Sequence, residues 1–510
     1  MKNIKKIFTV MLLLVFAASG CNEDNIDLDP IGDTEASFFN NETQMNQAVL
    51  GIYQKVGFFY TFRGGQNNWI QSIWLAPSDD LTTRQGHEYE FFQGLQGSLA
   101  TLNNFYRFAY QLIARANVVL QKIEENGDFA YESQPELRDF HKGEALFLRA
   151  WMNFRLWNVY GTAPLVNERI VALENAYPPN SSGTELLDQV IVDLEEAAQL
   201  LPSSWNPEFR GRVTRNSALG LRAKALVFRG TVTGSEADFT AAIQNVDAMS
   251  GMELMPNYGD NFDAAMENNA ESLFEFQANQ QSGLNNTSLD NDSFAVVGDT
   301  GAYWGMFANR PSWIGNAIYT ATESLKNAYE SGDPRTEYIF DPTPGLRLNV
   351  RKYIRDGNWT NDPGGANGSS RNNPRILRYA DILLIKAEAI TRSGGSLSDA
   401  LEIINQIRER ARNSTLDGIP AVIPADRPIS ADRNQVLEWL FLERRLELAI
   451  EEGHRYYDLR RRHMAGEVDL TNWDWSSERN DAEWRSFNIN FPLPDGEVID
   501  NANMSQNLGY

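Results

Sequence analysis

The chain has 510 residues, 42% of them hydrophobic, a formal net charge of -23 and a single cysteine. An acidic surface of this strength repels nucleic-acid phosphates and argues against nucleic acid as a partner. One cysteine excludes an internal disulfide, so the fold rests on packing, and the apolar content suffices for one large unit or two interlocked ones.

Lys2, Lys5 and Lys6 precede an apolar run from Phe8 to Ala18, and small residues follow. This is the layout of a secretory signal peptide, too short for a stable membrane span. Losing its three lysines takes the mature charge from -23 to about -26. Ser19-Gly20-Cys21 resembles a bacterial lipobox, with Ala18 where a large aliphatic residue is usual. There the leader is cut before the cysteine, which is then acylated. Residues 1–20 are thus expected to be a signal peptide, Cys21 a lipidation site and residues 21–42 an Asp-rich tether. "AASG" also permits ordinary cleavage, which would leave a secreted protein with an incidental thiol. Two or more acyl chains hold a protein stably where one does not. No later segment reaches about 18 uninterrupted apolar residues.

Residues 43–255 carry helix periodicity. Ala145, Leu148, Met152, Leu156 and Val159 recur at three- and four-residue steps, and Gly161 and Pro164 stop that helix. Ser182 and Glu185 have capping-box spacing ahead of Leu187, Val190, Leu194, Ala198 and Leu201, and Pro202 ends the run. Further helices are expected near 43–57, 102–124, 214–231 and 235–249. Trp151, Trp157 and Trp439 lie in helical stripes and are expected in the core.

The character changes over 256–375. Residues 256–370 contain 15 Asn, with many Gly and Pro, so helix propensity collapses. Aromatics among these residues point to long ordered loops on a rigid body, a loop-rich ligand-binding region. A pyranose ring offers C–H groups on its face and hydroxyls at its edge. Flat aromatics match the face; Asn, Asp and Arg match hydroxyl pairs. "YTFRGGQNNWIQ" supplies Arg63, Asn67, Asn68 and Trp69, and "GAYWGMFANRPSW" supplies Tyr303, Trp304 and Trp313. These are the candidate ligand contacts; packing beneath a loop is the competing role for each Trp.

Residues 376–510 return to helix. One helix, with Leu383, Ala387 and Ile390 in register, is apolar on most sides and is expected to be buried, with Gly394 and Gly395 breaking it. Ser398 is expected to cap a second helix, forming an αα-hairpin of tetratricopeptide size. A third is expected to run to Gly453, before an irregular tail. Reactive constellations are missing from the sequence. His87, His141, His454 and His463 have no metal-ligand spacing, and neither a Gly-x-Ser-x-Gly elbow nor a phosphate loop occurs. Glu443, Glu447 and Glu451 share a helix face, but adjacent Arg444 and Arg445 suggest a structural ion network rather than a hydrolytic pair. Asp79 and Asp80 suggest a structural turn.

"LRYADILLIKAEAITR", "INQIRERA" and "FLERRLELAIEEGHRYYDLRRR" resemble successive signatures of the SusD/RagB family, and "NFPLPDGEVIDNANMSQNLGY" resembles its ending. "FFNNETQMNQAVLGIY", "RAWMNFRLWNVYGTAPLV" and "RVTRNSALGLRAKALVFRG" also fit. "NEDN" after Cys21 resembles the surface-export signal of lipoproteins in the Bacteroidetes group. The resemblance implies a mainly α fold, with tetratricopeptide-like helix pairs as scaffold, long irregular loops and little β. It implies a surface-exposed lipoprotein anchored in the outer membrane, partnered with a SusC-like TonB-dependent transporter. It implies binding of glycans or, in some branches, peptides, without catalysis or cofactor. A structural cation such as calcium is left open, as are a glycoside hydrolase and a purely structural lid.

Overall fold

The computed structural model describes residues 34–35, 37–61, 70–83, 87–278, 300–308, 317–354, 359–360, 369–475 and 482–510. The periodic segments form helices close to those expected, some longer and α4 and α6 shorter: α1 (Glu42–Thr61), α2 (Ala100–Ala130), α3 (Pro135–Val159), α4 (Glu185–Leu200), α5 (Arg215–Thr233) and α6 (Glu236–Asp247). Each packs against the next, so one face of every helix is shared with its predecessor and another with its successor. Local chemistry sets the starts. Pro135 opens α3, where its missing N–H costs nothing. The Glu185 carboxylate accepts from the Ser182 N–H at 2.8 Å, but the expected capping box does not close: the N-cap of α4 is Thr184, which makes no side-chain cap hydrogen bond. Thr214 and Ser217 close a full capping box on α5. Trp151 and Trp157 are buried in the main core, whereas Trp439 is only half-buried, against a second core.

Past residue 255 the chain makes short antiparallel ribbons and turns, one of its strands pairing back to residues 81–83. β1 (Leu81–Thr83) pairs with β3 (Tyr319–Ala321), β2 (Ser272–Glu275) with β6 (Arg375–Arg378), and β4 (Trp359–Thr360) with β5 (Ser369–Ser370). Short helices lie among them: α7 (Gly301–Trp304) and the turns Glu323–Ala328 and Arg335–Ile339. Helices then resume as α8 (Tyr379–Arg392), α9 (Leu397–Asn413), α10 (Arg433–Glu447) and α11 (His454–Met464). The buried helix anticipated from its all-round apolar surface is α8. Ile382, Ile385 and Ala389 enter the main core, while Leu383, Leu384, Ala387 and Ile390 pack with α9 and α10 in the second.

Two boundaries differ from expectation. The cap of α9 is Ser396, whose hydroxyl accepts from the Asp399 N–H, not Ser398. The helix expected to reach Gly453 ends at Glu447, and α11 starts afresh. Gly453 has φ +75°, and a Cβ there would lie 2.7 Å from the Trp74 carbonyl oxygen, so only glycine fits this close approach. The turn between α10 and α11 also holds Ile450 and Glu452 at positive φ.

The Glu443, Glu447 and Glu451 row is the buried ion network that the neighbouring arginines suggested. Glu447 accepts from Arg378 at 2.6 Å, Arg335 at 3.4 Å and Arg410. Glu443 meets Arg335 at 2.6 Å and Arg408 at 2.8 Å; Glu451 meets Arg378 at 2.8 Å and Lys352 at 2.6 Å. Burial raises the pKa of Glu447, but Arg410, Arg378 and Arg335 overcome it and hold the carboxyl well below its usual range. Asp79 and Asp80 are likewise structural: Arg455 donates to both carboxylate oxygens of Asp79 at 2.7 Å, and Arg445 donates to Asp80 at 2.6 Å.

His141 and His454 are buried core residues. Burial, reinforced by Arg212, pushes His141 down to about 4; burial, reinforced by Lys224, pushes His454 down to about 3. Both stay neutral in the fold while the unfolded chain protonates below about 6.5. Stability is therefore fully present above about pH 6.5 and falls as pH drops toward 4, by about 3 kcal/mol for each residue. His141→Gln is expected to remove its share of that acid slope in denaturant titrations between pH 7 and 4.

Candidate functional site

The described chain on either side of residues 62–69 and 309–316, which carry Arg63, Asn67, Asn68, Trp69 and Trp313, meets around α1 and α7. Residues 62–69 follow α1; residues 279–299 and 309–316 lie either side of α7; residues 355–358 and 361–368 flank β4. The short helix α7 packs against α1, β4 and β5. Gln71, just after the first segment, donates its side-chain amide to the Tyr303 carbonyl at 3.3 Å. The Met306 carbonyl accepts from the N–H groups of Ile318 and Tyr319 at 3.1 and 2.9 Å, closing the ends of 309–316. Thr300 donates its N–H to the Ser370 carbonyl at 3.0 Å, joining the end of 279–299 to β5.

Beneath these roots lies a continuous aromatic platform. Trp304 stacks on Tyr353 with centroids 4.0 Å apart and planes at 16°. Tyr303 meets Trp304 edge-on at 4.6 Å and Tyr60, at the end of α1, at 5.1 Å. Phe262 closes the other end against Tyr353 at 5.3 Å. Asn372 pins the stack: its amide donates to the carbonyls of Phe262 and Tyr353 at 2.9 and 2.8 Å, and its carbonyl accepts from the Trp304 indole at 2.8 Å. Glu452 accepts from the hydroxyls of Tyr60 at 2.8 Å and Tyr303 at 3.3 Å, and from Arg155 at 3.1 Å. Burial raises the Glu452 pKa against the pull of Arg155, and burial carries both tyrosines far above their ordinary range. Positive φ at Glu452 turns it toward this platform while its neighbour Glu451 joins the ion network.

Tyr303 and Trp304 are 4% and 2% exposed. With Trp304 stacked on Tyr353 and its indole bonded to the Asn372 carbonyl, both rings take the packing role beneath the loops. Arg63, Asn67, Asn68, Trp69 and Trp313 lie outside the described residues, as does Cys21. Tyr60, Tyr353, Asn372 and Glu452 complete the platform and were not anticipated. Their partners lie far away in the chain, so no local pattern marks them.

A cleft of about 300 Å³ opens beside the platform, lined by Asp260, Asp263, Tyr338, Lys352 and Thr415 around Phe262. Near the roots, Glu267 and Glu275 share Asn373, which donates its N–H to one at 2.8 Å and its amide to the other at 2.9 Å. Burial pushes Glu267 up to about 7. Glu275 is fully buried, also accepts from the Asn268 N–H and lies 3.7 Å from Arg375. A hydrolytic pair needs both carboxyls open to substrate; here one is sealed. Among the described residues, no group of three His, Cys, Asp or Glu side chains could hold a metal ion, and no helix is long and apolar enough to cross a membrane.

Comparison with known proteins gives a consistent picture. A model described as the SusD family matches residues 269–510, and one described as starch-binding associating with outer membrane matches residues 27–226. A SusD-like protein of Formosa agariphila is 25% identical, with all of both chains covered. The starch-binding protein SusD of Bacteroides thetaiotaomicron is 25% identical over 100% of this chain and 99% of its own. A laminarin-binding SusD-like protein of known structure superposes with a TM-score of 0.73 at 23% identity, over 92% of this chain and all of its own. A SusD homologue from Bacteroides thetaiotaomicron also gives 0.73, at 19% identity, over 94% and 99%. At these identities the structural likeness establishes the fold, a mainly α scaffold with little strand.

Proposed function

The chain belongs to the SusD family, and from that premise we propose that it is a cell-surface lipoprotein that captures neutral glycans and delivers them to a SusC-like TonB-dependent transporter in the outer membrane. The family binds carbohydrate, and relatives carry starch and laminarin in their names. One observation carries the reading here. The segments holding Arg63, Asn67, Asn68, Trp69 and Trp313 all spring from roots tied to one buried aromatic platform. A platform so fixed gives these segments fixed ends, and fixed ends lower the ordering cost of binding. Stacking on C–H faces and paired hydrogen bonds to hydroxyls then give capture without bond cleavage. Acylated Cys21 keeps this platform at the membrane through the tether.

Isothermal titration with neutral oligosaccharides and, separately, with peptides tests the reading. Heat with at least one glycan is expected; heat with peptides alone would move the protein to a peptide-binding role. Cys21→Ala is expected to shift the protein from the membrane fraction to the soluble one, measured by fractionation of expressing cells.

A further inference from the structure

At the end of α1 opposite residues 62–69, roughly 30 Å away along a 20-residue helix, a second cleft opens. It measures about 490 Å³ and lies between the first turns of α1 and α3 and the segment 204–212. That volume is within the roughly 300–1,000 Å³ range of small-molecule sites. Half-buried Trp205 stands at its centre, with Phe140 edge-on at 5.6 Å and Phe209 at 6.1 Å. The Trp205 indole N–H is committed to the Val213 carbonyl at 2.8 Å, which fixes the ring but leaves part of it open to the cleft.

The floor is rigid. Arg212 donates to the buried Glu144 at 3.2 Å and to the Asn46 side-chain oxygen at 2.5 Å, and Tyr53 donates to Glu144 at 2.8 Å. Polar groups around the aromatics are nevertheless left unused. The Asn46 amide nitrogen and the side chains of Ser204, Asn206, Glu136 and Glu208 make no hydrogen bond among the described residues. Charge narrows the ligand. Glu42, Glu136 and Glu208 at the rim repel anions. The Arg212 guanidinium already lies 5.2 Å from the Trp205 ring centre and 4.9 Å from that of Phe209, in the place a bound cation would take. What remains is a neutral molecule with apolar faces and many hydroxyls.

We infer that this cleft is a second saccharide-binding site, taking a neutral hexopyranose oligosaccharide by stacking on Trp205 and Phe209 and hydrogen bonding to Asn46, Asn206, Glu136 and Glu208. The inference rests on the glycan-capture reading and adds to it a site remote from the loops. Two sites on one rigid body favour long polysaccharides over short ones, since the second contact is made at high effective concentration.

Hydrogen–deuterium exchange on the whole protein locates binding. The probes are hexasaccharides of α-1,4-, β-1,4- and β-1,3-linked glucose and of β-1,4-linked mannose, each at millimolar concentration. Exchange over residues 203–213 and 134–141 is expected to slow at least threefold with at least one of them. Trp205→Ala is expected to abolish that protection while protection of residues 62–69 and 309–316 persists. If Trp205→Ala fails to fold, Asn206→Ala, an exposed position, is expected to weaken the protection at least threefold. Protection confined to the loop segments would overturn the second site and leave the proposed function standing. Protection at neither place would overturn both. Protection at 203–213 that survives the substitutions would also overturn the assignment.

Discussion

Glu447→Ala is expected to destabilise the protein by roughly 3–5 kcal/mol, enough to deplete folded material at 37 °C. The reason is asymmetry. Glu447 is fully buried and faces Arg378, Arg410 and Arg335 at once. Removing it leaves three guanidinium groups sharing too few carboxylates where water cannot replace the lost charge. Glu447→Gln keeps the shape and some hydrogen bonds but not the charge, and is expected to lose a smaller part. Glu323→Ala, which removes a half-exposed partner of Lys326 at 3.8 Å, is expected to change little. Urea titrations followed by circular dichroism report all three. An effect of Glu447→Ala as small as that of Glu323→Ala would remove the network from its structural role.

The second large effect concerns binding rather than folding. Trp69→Ala combined with Trp313→Ala is expected to lower glycan affinity on the order of 10³-fold, from about 2 kcal/mol for each aromatic hot spot. The melting midpoint is expected to hold, as it does where a ring serves ligand rather than the core. Trp304→Ala should behave in the opposite sense. Its ring is buried against Tyr353 and its indole holds the Asn372 carbonyl, so truncation costs roughly 3–5 kcal/mol of stability. Any loss of affinity there follows from loosened loop roots. Titration calorimetry and thermal melts on the same variants separate the two classes.

Tyr303 and Trp304 show where sequence stops being informative. The helices were legible because apolar residues recur at helical steps, and α8 because it lacks a polar side. The Glu443–Glu447–Glu451 row was legible because like charges on one face, with arginines beside them, need compensation wherever they are buried. Tyr303 and Trp304 sit in a Gly- and Asn-rich stretch, the setting of an exposed loop. What buries them is Tyr353, Asn372 and Glu452, brought in from 49 to 149 residues away by tertiary contacts. Composition marks aromatics in loops; it does not tell which face the core. The turn at 448–453 was hidden for a related reason: its sequence continues the helical pattern, and only the close approach of Gly453 to Trp74 explains the break.

Catalysis and capture make opposite demands on the same carboxylates, so the fate of a bound glycan tests the account most directly. The purified protein is titrated with the neutral oligosaccharide panel, then incubated with the tightest binder for many turnovers' worth of time, and the saccharide chain length is read by mass spectrometry. Saturable binding with the glycan recovered at full length is the expected result. Steady accumulation of shorter chains with new reducing ends would contradict it.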